Sequence, residues 1–281
     1  MNSSEKIKNF ILDNISSHQH DIIHEAIARF GISRQAVHKH MNWLIDNNLV
    51  IAHGTTRARY YELRPLINFT KVIDINDKFS SDNFLNKNII PHFNSQKKNI
   101  FEIFNFSSKA LLSNVLYHSR ASKLYIKIYI THSEAHFIVS DNGIGIFNNI
   151  QSGLKLEDTQ LAALELAKGN VTTDANKHSG DELNAIIQLF DKAIIEASEL
   201  SLVFTNQNKE WKLDSSMHNQ GTKVHLVIKP SSNRTCAKVF NRIFNQNYKK
   251  VRIPLSLLEN SDQKIVYSRN HAKNVLFNIK H

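Results

Sequence analysis

Apolar positions recur at helical spacing in three short stretches at the start of the chain. Ile7, Phe10 and Ile11 share a face within Glu5–Asn14, with Ser4 as the expected N-cap. Ile23, Ala26, Ile27 and Phe30 do so within Asp21–Phe30, and Gly31 stops the run. Val37, Met41 and Leu44 form the buried stripe of a third helix from Arg34 to about Asn47, for which Ser33 is a good N-cap. After Leu49 the period drops to two. Alternating runs on either side of Gly54-Thr55-Thr56 predict a β-hairpin that carries Arg57 and Arg59. Residues 64–98 are rich in Asn, Asp, Lys and Ser. Their apolar islands, Val72-Ile73 and Ile89-Ile90, predict a connector packed on the domain that follows.

A second pattern begins at Asn99, with a long apolar helix to about His118 and then strands at Lys123–Ile130 and Ala135–Ser140. The second strand runs into Asp141-Asn142-Gly143-Ile144-Gly145-Ile146. Next come a helix over Thr159–Ala167, a loop from Lys168 to Asp174, His178-Ser179-Gly180, and a helix over Asp181–Ser198. Strands are expected near Leu200–Thr205 and Lys209–Leu213, and Gly221-Thr222 opens another over Lys223–Ile228. The predicted class is α+β in four parts: a helical module at 1–63, the connector at 64–98, a sandwich at 99–230 and a C-terminal unit at 231–281.

Length and charge narrow this picture. The chain has 281 residues, enough for two domains with full cores and no need of a disulfide or metal staple. Its single cysteine, Cys236, excludes an intramolecular disulfide framework and fits a reducing cytoplasm. The opening MNSSEKIKNF lacks the apolar core of a secretory signal, and no apolar run approaches the roughly 18 residues of a membrane helix, so no membrane role is expected. The formal charge is +10, unevenly spread. Residues 1–63 carry 7 basic and 6 acidic side chains, residues 64–204 carry 14 and 15, and residues 205–281 carry 14 and 4. The whole excess lies in the last quarter. Six of the 15 histidines lie in the first module; His18, His20 and His24 read as surface histidines, because no cysteine or carboxylate cluster accompanies them in the sequence.

Helix, tight turn, capped helix and basic hairpin together resemble a winged helix-turn-helix domain. The third helix and its continuation, Ile32-Ser33-Arg34-Gln35-Ala36-Val37 and then Trp43-Leu44-Ile45-Asp46-Asn47-Asn48-Leu49-Val50, are close to that family's recognition helix. The resemblance implies that Arg34, Gln35, His38 and Lys39 face the major groove of DNA, while Arg57 and Arg59 on the wing reach phosphates or a minor groove. The alternative is a winged helix that contacts protein, its basic residues merely solvated. A module of net charge +1 neutralises few phosphates, so a homodimer is the expected remedy.

The second module resembles the Bergerat-fold nucleotide-binding domain of the GHKL superfamily of gyrases and histidine kinases. It does so over residues 99–230, through several motifs in order. The resemblance implies a mixed sheet with helices on one face, and ATP with Mg as the ligand. Asn114 would bind the Mg on the phosphates, Asp141 would take a hydrogen bond from the adenine amino group, and Gly143 and Gly145 would shape the pocket. Residues 147–180 would form the lid, Gly180 the second glycine box, and the Thr222 hydroxyl would support Asp141.

Two departures weigh against hydrolysis. Four residues before Asn114, where hydrolysing members carry a general-base Glu, stands Ala110, so no catalytic residue is assigned. In the second glycine box Gly180 is followed by Asp181 and Glu182, which set negative charge beside a polyanion. Three outcomes stay open: a DNA-binding regulator that binds ATP and hydrolyses it poorly, an ATPase or anti-sigma-type serine kinase acting on a STAS-like partner, and a scaffold with a vestigial pocket. Residues 231–281 resemble the opening of a STAS-like domain, in Val251–Leu258 followed by Ser268-Arg269-Asn270-His271-Ala272-Lys273. The alternative is a basic strand and helix packed on the second module. The whole resembles bacterial regulators of that architecture.

Overall fold

The computed structural model describes residues 2–76, 79–169 and 181–245, and its class is α+β. The chain divides into two compact units. The first comprises residues 1–69 with 128–136 and 229–231; the second comprises Thr70–Lys127, Phe137–Ile228 and the described residues from 232 on.

The first unit begins with α1 (Ser3–Asn14), α2 (Ile22–Phe30) and α3 (Arg34–Asp46), followed by β1 (Val50–His53) and β2 (Tyr60–Leu63). Asn2, not Ser4, caps α1. Its side chain accepts from Glu5 N at 2.8 Å, and Glu5 accepts from Asn2 N at 3.2 Å, a reciprocal box that starts the helix earlier than the apolar pattern suggests. Gly31 ends α2 at φ +64°, and Ser33 caps α3 by accepting from Ala36 N at 3.2 Å. Ile11, Ile22, Ala26, Val37, Met41 and Leu44 are fully buried at the centre of the three helices. Each large aliphatic side chain there contributes about 2 kcal/mol of burial. The hairpin pairs Val50 with Leu63 through His53 with Tyr60. Residues 54–59, with a 3₁₀ turn at Thr56–Ala58, make the connection longer than a tight turn.

The sheet has seven strands: β3 (Ile67–Asp74), β4 (Lys123–Ile130), β5 (Ala135–Asp141), β6 (Lys192–Ala197), β7 (Leu200–Thr205), β8 (Glu210–Ser215) and β9 (Lys223–Ile228), in the order β3-β4-β5-β9-β6-β7-β8. It is antiparallel, not mixed. β6 runs antiparallel to both β7 and β9, and β7 to β8. At the other end, bonds from Asn142 N to Lys123 O and from Asp141 N to Thr222 O join the end of β5 to the starts of β4 and β9. Hairpin links and the insertion of β9 between β5 and β6 produce that pattern.

One sheet face is buried and the other half-exposed, as the alternation of β4 and β5 shows. Phe93, Phe104, Phe137 and Phe190 pack with ring centroids 4.1 to 6.4 Å apart; Phe137 comes from the sheet, and the other three come from helical segments and the turn that follows. Among the described residues the α-helices of this unit are α4 (Ser81–Phe84), α5 (Lys98–Asn114), α6 (Ile146–Leu154), α7 (Thr159–Lys168), α8 (Asp181–Leu189) and α9 (Cys236–Asn245).

Two sequence expectations are corrected here. The helix expected over 181–198 ends at Leu189, and Lys192–Ala197 is a central strand. Its buried residues, Ala193, Ile195 and Ala197, alternate with Lys192, Ile194 and Glu196, a period of two hidden by the helical run before it. The expected connector supplies edge strand β3 and, through Phe84, Leu85, Ile89 and Phe93, part of the core.

Candidate functional site

A cavity in the second unit opens between α5, the end of β5, α6, α7, α8 and the start of β9. Asn114, Asp141, Gly145, Thr222 and Glu182 all line it. Topology accounts for the meeting of Asp141 and Thr222, since β5 and β9 are neighbours and Asp141 N donates to Thr222 O at 2.9 Å. α5 does not stop at Asn114 but runs on as a π turn, Val115–Ser119, which ends at Arg120 with φ +55°. That turn brings Val115, His118 and Ser119 to the cavity beside Asn114.

The glycine segment is held from three sides. Gly143 N donates to Asp141 Oδ1 at 2.8 Å, and Ile144 N to Ser119 O at 2.9 Å. Ile146 N donates to Thr222 Oγ1 at 2.9 Å, so the threonine hydroxyl fixes the start of α6. Gly143 is not among the lining residues. A Cβ there would lie 2.1 Å from Ser119 O, so its glycine is required for close backbone approach behind the cavity wall. Gly221, at φ +71°, is constrained in the same way: a Cβ would meet Asp141 O at 1.9 Å.

Asp141 is the buried carboxylate of this cavity, 7% exposed. Burial pushes its pKa up, against the opposing pull of backbone N–H groups from Gly143 and Thr222 and the field of His218. Its Oδ1 is engaged by Gly143 N, and the carboxyl lines the cavity. Much of the wall is apolar, from Val139, Ile146, Ile150, Leu166, Leu183 and Val224. Sequence reasoning had not singled out His118, Asn149 or Leu166. Asn149 follows Gly145 by one helical turn, and that spacing was the available signal.

The remaining residues of the nucleotide set fall elsewhere. Ala110 is buried in α5 and does not line the cavity. Gly180 and residues 170–179 of the expected lid lie outside the described residues, as do residues 246–281 with the STAS-like segment. Cys236 is half-buried and its thiol is pushed up to about 11, chiefly by burial, so it is no nucleophile at neutral pH.

In the first unit, α3 presents a polar face. Arg34, Gln35, Lys39 and Asn42 are exposed, and Gln35, His38, Lys39, Asn42, Trp43 and Asp46 surround a shallow depression. Burial, then the nearby Arg34 and Arg59, pull the pKa of His38 down, which favours a neutral ring with one donor and one acceptor. The field of Arg59 at His38 shows that wing and helix converge. Arg59 lies over the Tyr61 ring at 5.3 Å, and Lys8 covers the Trp43 ring at 3.5 Å. The Arg57 side chain lies outside the described residues. The histidines singled out near α2 do not meet as a trio: His18 pairs with Asp21 at 3.1 Å, and those two lie near Glu25. Among the described residues no helix is long and apolar enough to cross a membrane.

No protein-family model matches the chain, and no curated protein does. Among solved structures it is similar to an IclR transcriptional regulator from Alicyclobacillus acidocaldarius, with 12% identity over 86% of this chain and 96% of that one. The TM-score is 0.28, too low for the likeness to carry an argument about fold or function.

Proposed function

We propose that this protein is a DNA-binding regulator whose second unit holds an adenine nucleotide and does not turn it over. The observation that carries the nucleotide half is convergence. Asn114, the Asp141–Gly145 segment and Thr222 come from three separate stretches of the chain and line one cavity. Asp141 and the apolar walls fit a purine, with Asn114 left to face the Mg on its phosphates. Glu182 stands in the same lining and opposes a polyphosphate, so the base end of the cavity fits the ligand better than the phosphate end. Mg, when bound, would neutralise phosphate charge; the chain's own part is to bind and orient the base.

The DNA half rests on the exposed polar face of α3 and on Arg34, His38 and Arg59 meeting at the wing. Winged-helix readers commonly dock two such helices on adjacent half-sites, so the proposal includes a homodimer on DNA. Calorimetry of the intact protein with Mg-ATP tests the first half. Saturable binding is expected, weakened roughly 10- to 100-fold by Asp141→Asn, the range for a hydrogen bond to a charged group. No binding at millimolar nucleotide leaves a scaffold with a vestigial pocket. Gel shifts test the second half: Arg34→Ala is expected to relax sequence preference and Arg59→Ala to weaken binding to all duplexes. Shifts unchanged in both would turn the winged face over to protein recognition.

A further inference from the structure

The charge excess of residues 205–281 is not used by either site above, and part of it folds into a defined place. Lys209, at the turn between β7 and β8, lies within the field of Arg234, just before α9, and Arg242, on α9. All three are tied, directly or through Asn206, to residues 188–191. Arg234 donates to Leu189 O and to Asp191 Oδ1, each at 2.8 Å. Arg242 donates to Gln188 Oε1 at 2.8 Å, and Lys209 donates to Asn206 Oδ1. The Asn206 amide in turn donates to Gln188 O and Phe190 O, each at 2.7 Å. Lys238, exposed on α9, sits one turn before Arg242.

Asp191 is the one carboxylate bonded to these cations among the described residues, so the cluster keeps a positive surplus. The mutual repulsion is large enough to help lower the Lys209 ammonium to about 8, after the larger effect of partial burial. The guanidinium groups are oriented by their bonds to Gln188, Leu189 and Asp191, and each carries five donors, more than these bonds use. Cations oriented in this way are arranged to receive an anion.

We propose that Lys209, Arg234, Lys238 and Arg242 form a second DNA-contacting surface that takes backbone phosphates without reading sequence. It rests on the DNA-binding reading above and supplies the phosphate neutralisation that a first module of net +1 lacks. An acidic peptide is the lesser fit. Among the described residues, none of the exposed large apolar side chains lies in the segments that build the cluster, and peptide recognition takes most of its energy from such anchors. Phosphate binding needs charge and donors alone.

The test is fluorescence anisotropy of the full chain on a random-sequence duplex between 50 and 200 mM KCl. Each phosphate contact adds about 0.9 to the slope of log affinity against log salt. Lys209→Gln with Lys238→Gln and Arg242→Gln is expected to flatten that slope by about 2 to 3 and to lower affinity at least roughly tenfold at 100 mM. Arg234 is left in place because it bonds the backbone. Should the triple variant melt early, Lys209→Asn alone, which tolerates the left-handed backbone of that residue, is expected to flatten the slope by about 1. An unchanged slope in a folded variant overturns the proposal. So does a variant that loses binding to poly-glutamate and keeps the DNA slope, which would give the cluster to an acidic protein. Arg34→Ala with Arg59→Ala runs alongside. Loss of DNA binding there with an unchanged slope in the cluster variants sinks the second surface alone; the reverse pattern sinks the winged-helix reading alone. A wild-type chain that binds no duplex at 50 mM KCl sinks both.

Discussion

A buried Asp with its pKa raised is a group the folded chain would hold more easily as the neutral acid. The unfolded chain binds that proton less tightly than the folded one. Stability from Asp141 is therefore fully present below the ordinary Asp range and is lost as pH rises through the raised folded value. Asparagine has the same shape, carries no charge, and still offers an oxygen to Gly143 N. Asp141→Asn is therefore expected to melt higher than the native chain at pH 7, with the gap closing as pH falls toward 4. A variant that melts lower at pH 7 would show that the two backbone N–H groups outweigh burial and that Asp141 is structural. Raised stability with lost nucleotide binding is what a ligand-facing carboxylate predicts, since the residue is then kept at a cost to the fold.

At the scale of elements, local chemistry was legible and long-range pairing was not. α2 and α3 carry their stop and cap signals at Gly31 and Ser33, and β4, β7 and β9 have the bounds their alternation predicts. Strand β6 was masked because Asp181–Leu189 is helical and no Gly or Pro stands between it and the apolar residues that resume at Ala193. The role of residues 64–98 was masked because β3 is an edge strand with no fully buried position. Within the candidate site, the segment that ends β5 stood out in the sequence because few glycines surround it; its meeting with β9 depends on strand order, which no local pattern encodes. α5 carries a prediction of its own. Ala110 points into packed surroundings and away from the cavity lining, so restoring a glutamate there buries an unpaired carboxylate. Ala110→Glu is expected to destabilise the protein by roughly 3–5 kcal/mol in urea titrations, with no gain in phosphate release. Raised phosphate release with an unmoved urea midpoint would instead place that side chain at the phosphates.

Across the whole molecule, the charge surplus lies apart in sequence from the proposed DNA-reading face. The module proposed to read DNA is nearly neutral, while the region with the surplus places its described cations at the turn between β7 and β8 and around α9. If base recognition and phosphate attraction are divided this way, DNA affinity should carry a proton signature that the α3 face alone would not. Lys209 lies in the field of Arg242 on α9 and Arg234 before it, with Asp191 after α8 paired to Arg234, and partial burial with the two arginines holds it at about 8. Phosphates beside it reverse that repulsion and return it toward the ordinary lysine value. The free protein thus loses the Lys209 proton as pH rises through about 8, while the DNA complex retains it, and binding takes up a proton in that window. Between pH 7 and 9, at fixed salt, affinity for a random duplex is expected to fall roughly tenfold. Lys209→Arg, whose charge does not titrate there, should flatten the profile without weakening binding at pH 7. A profile equally steep in the arginine variant would assign the titration to another group and separate Lys209 from the DNA.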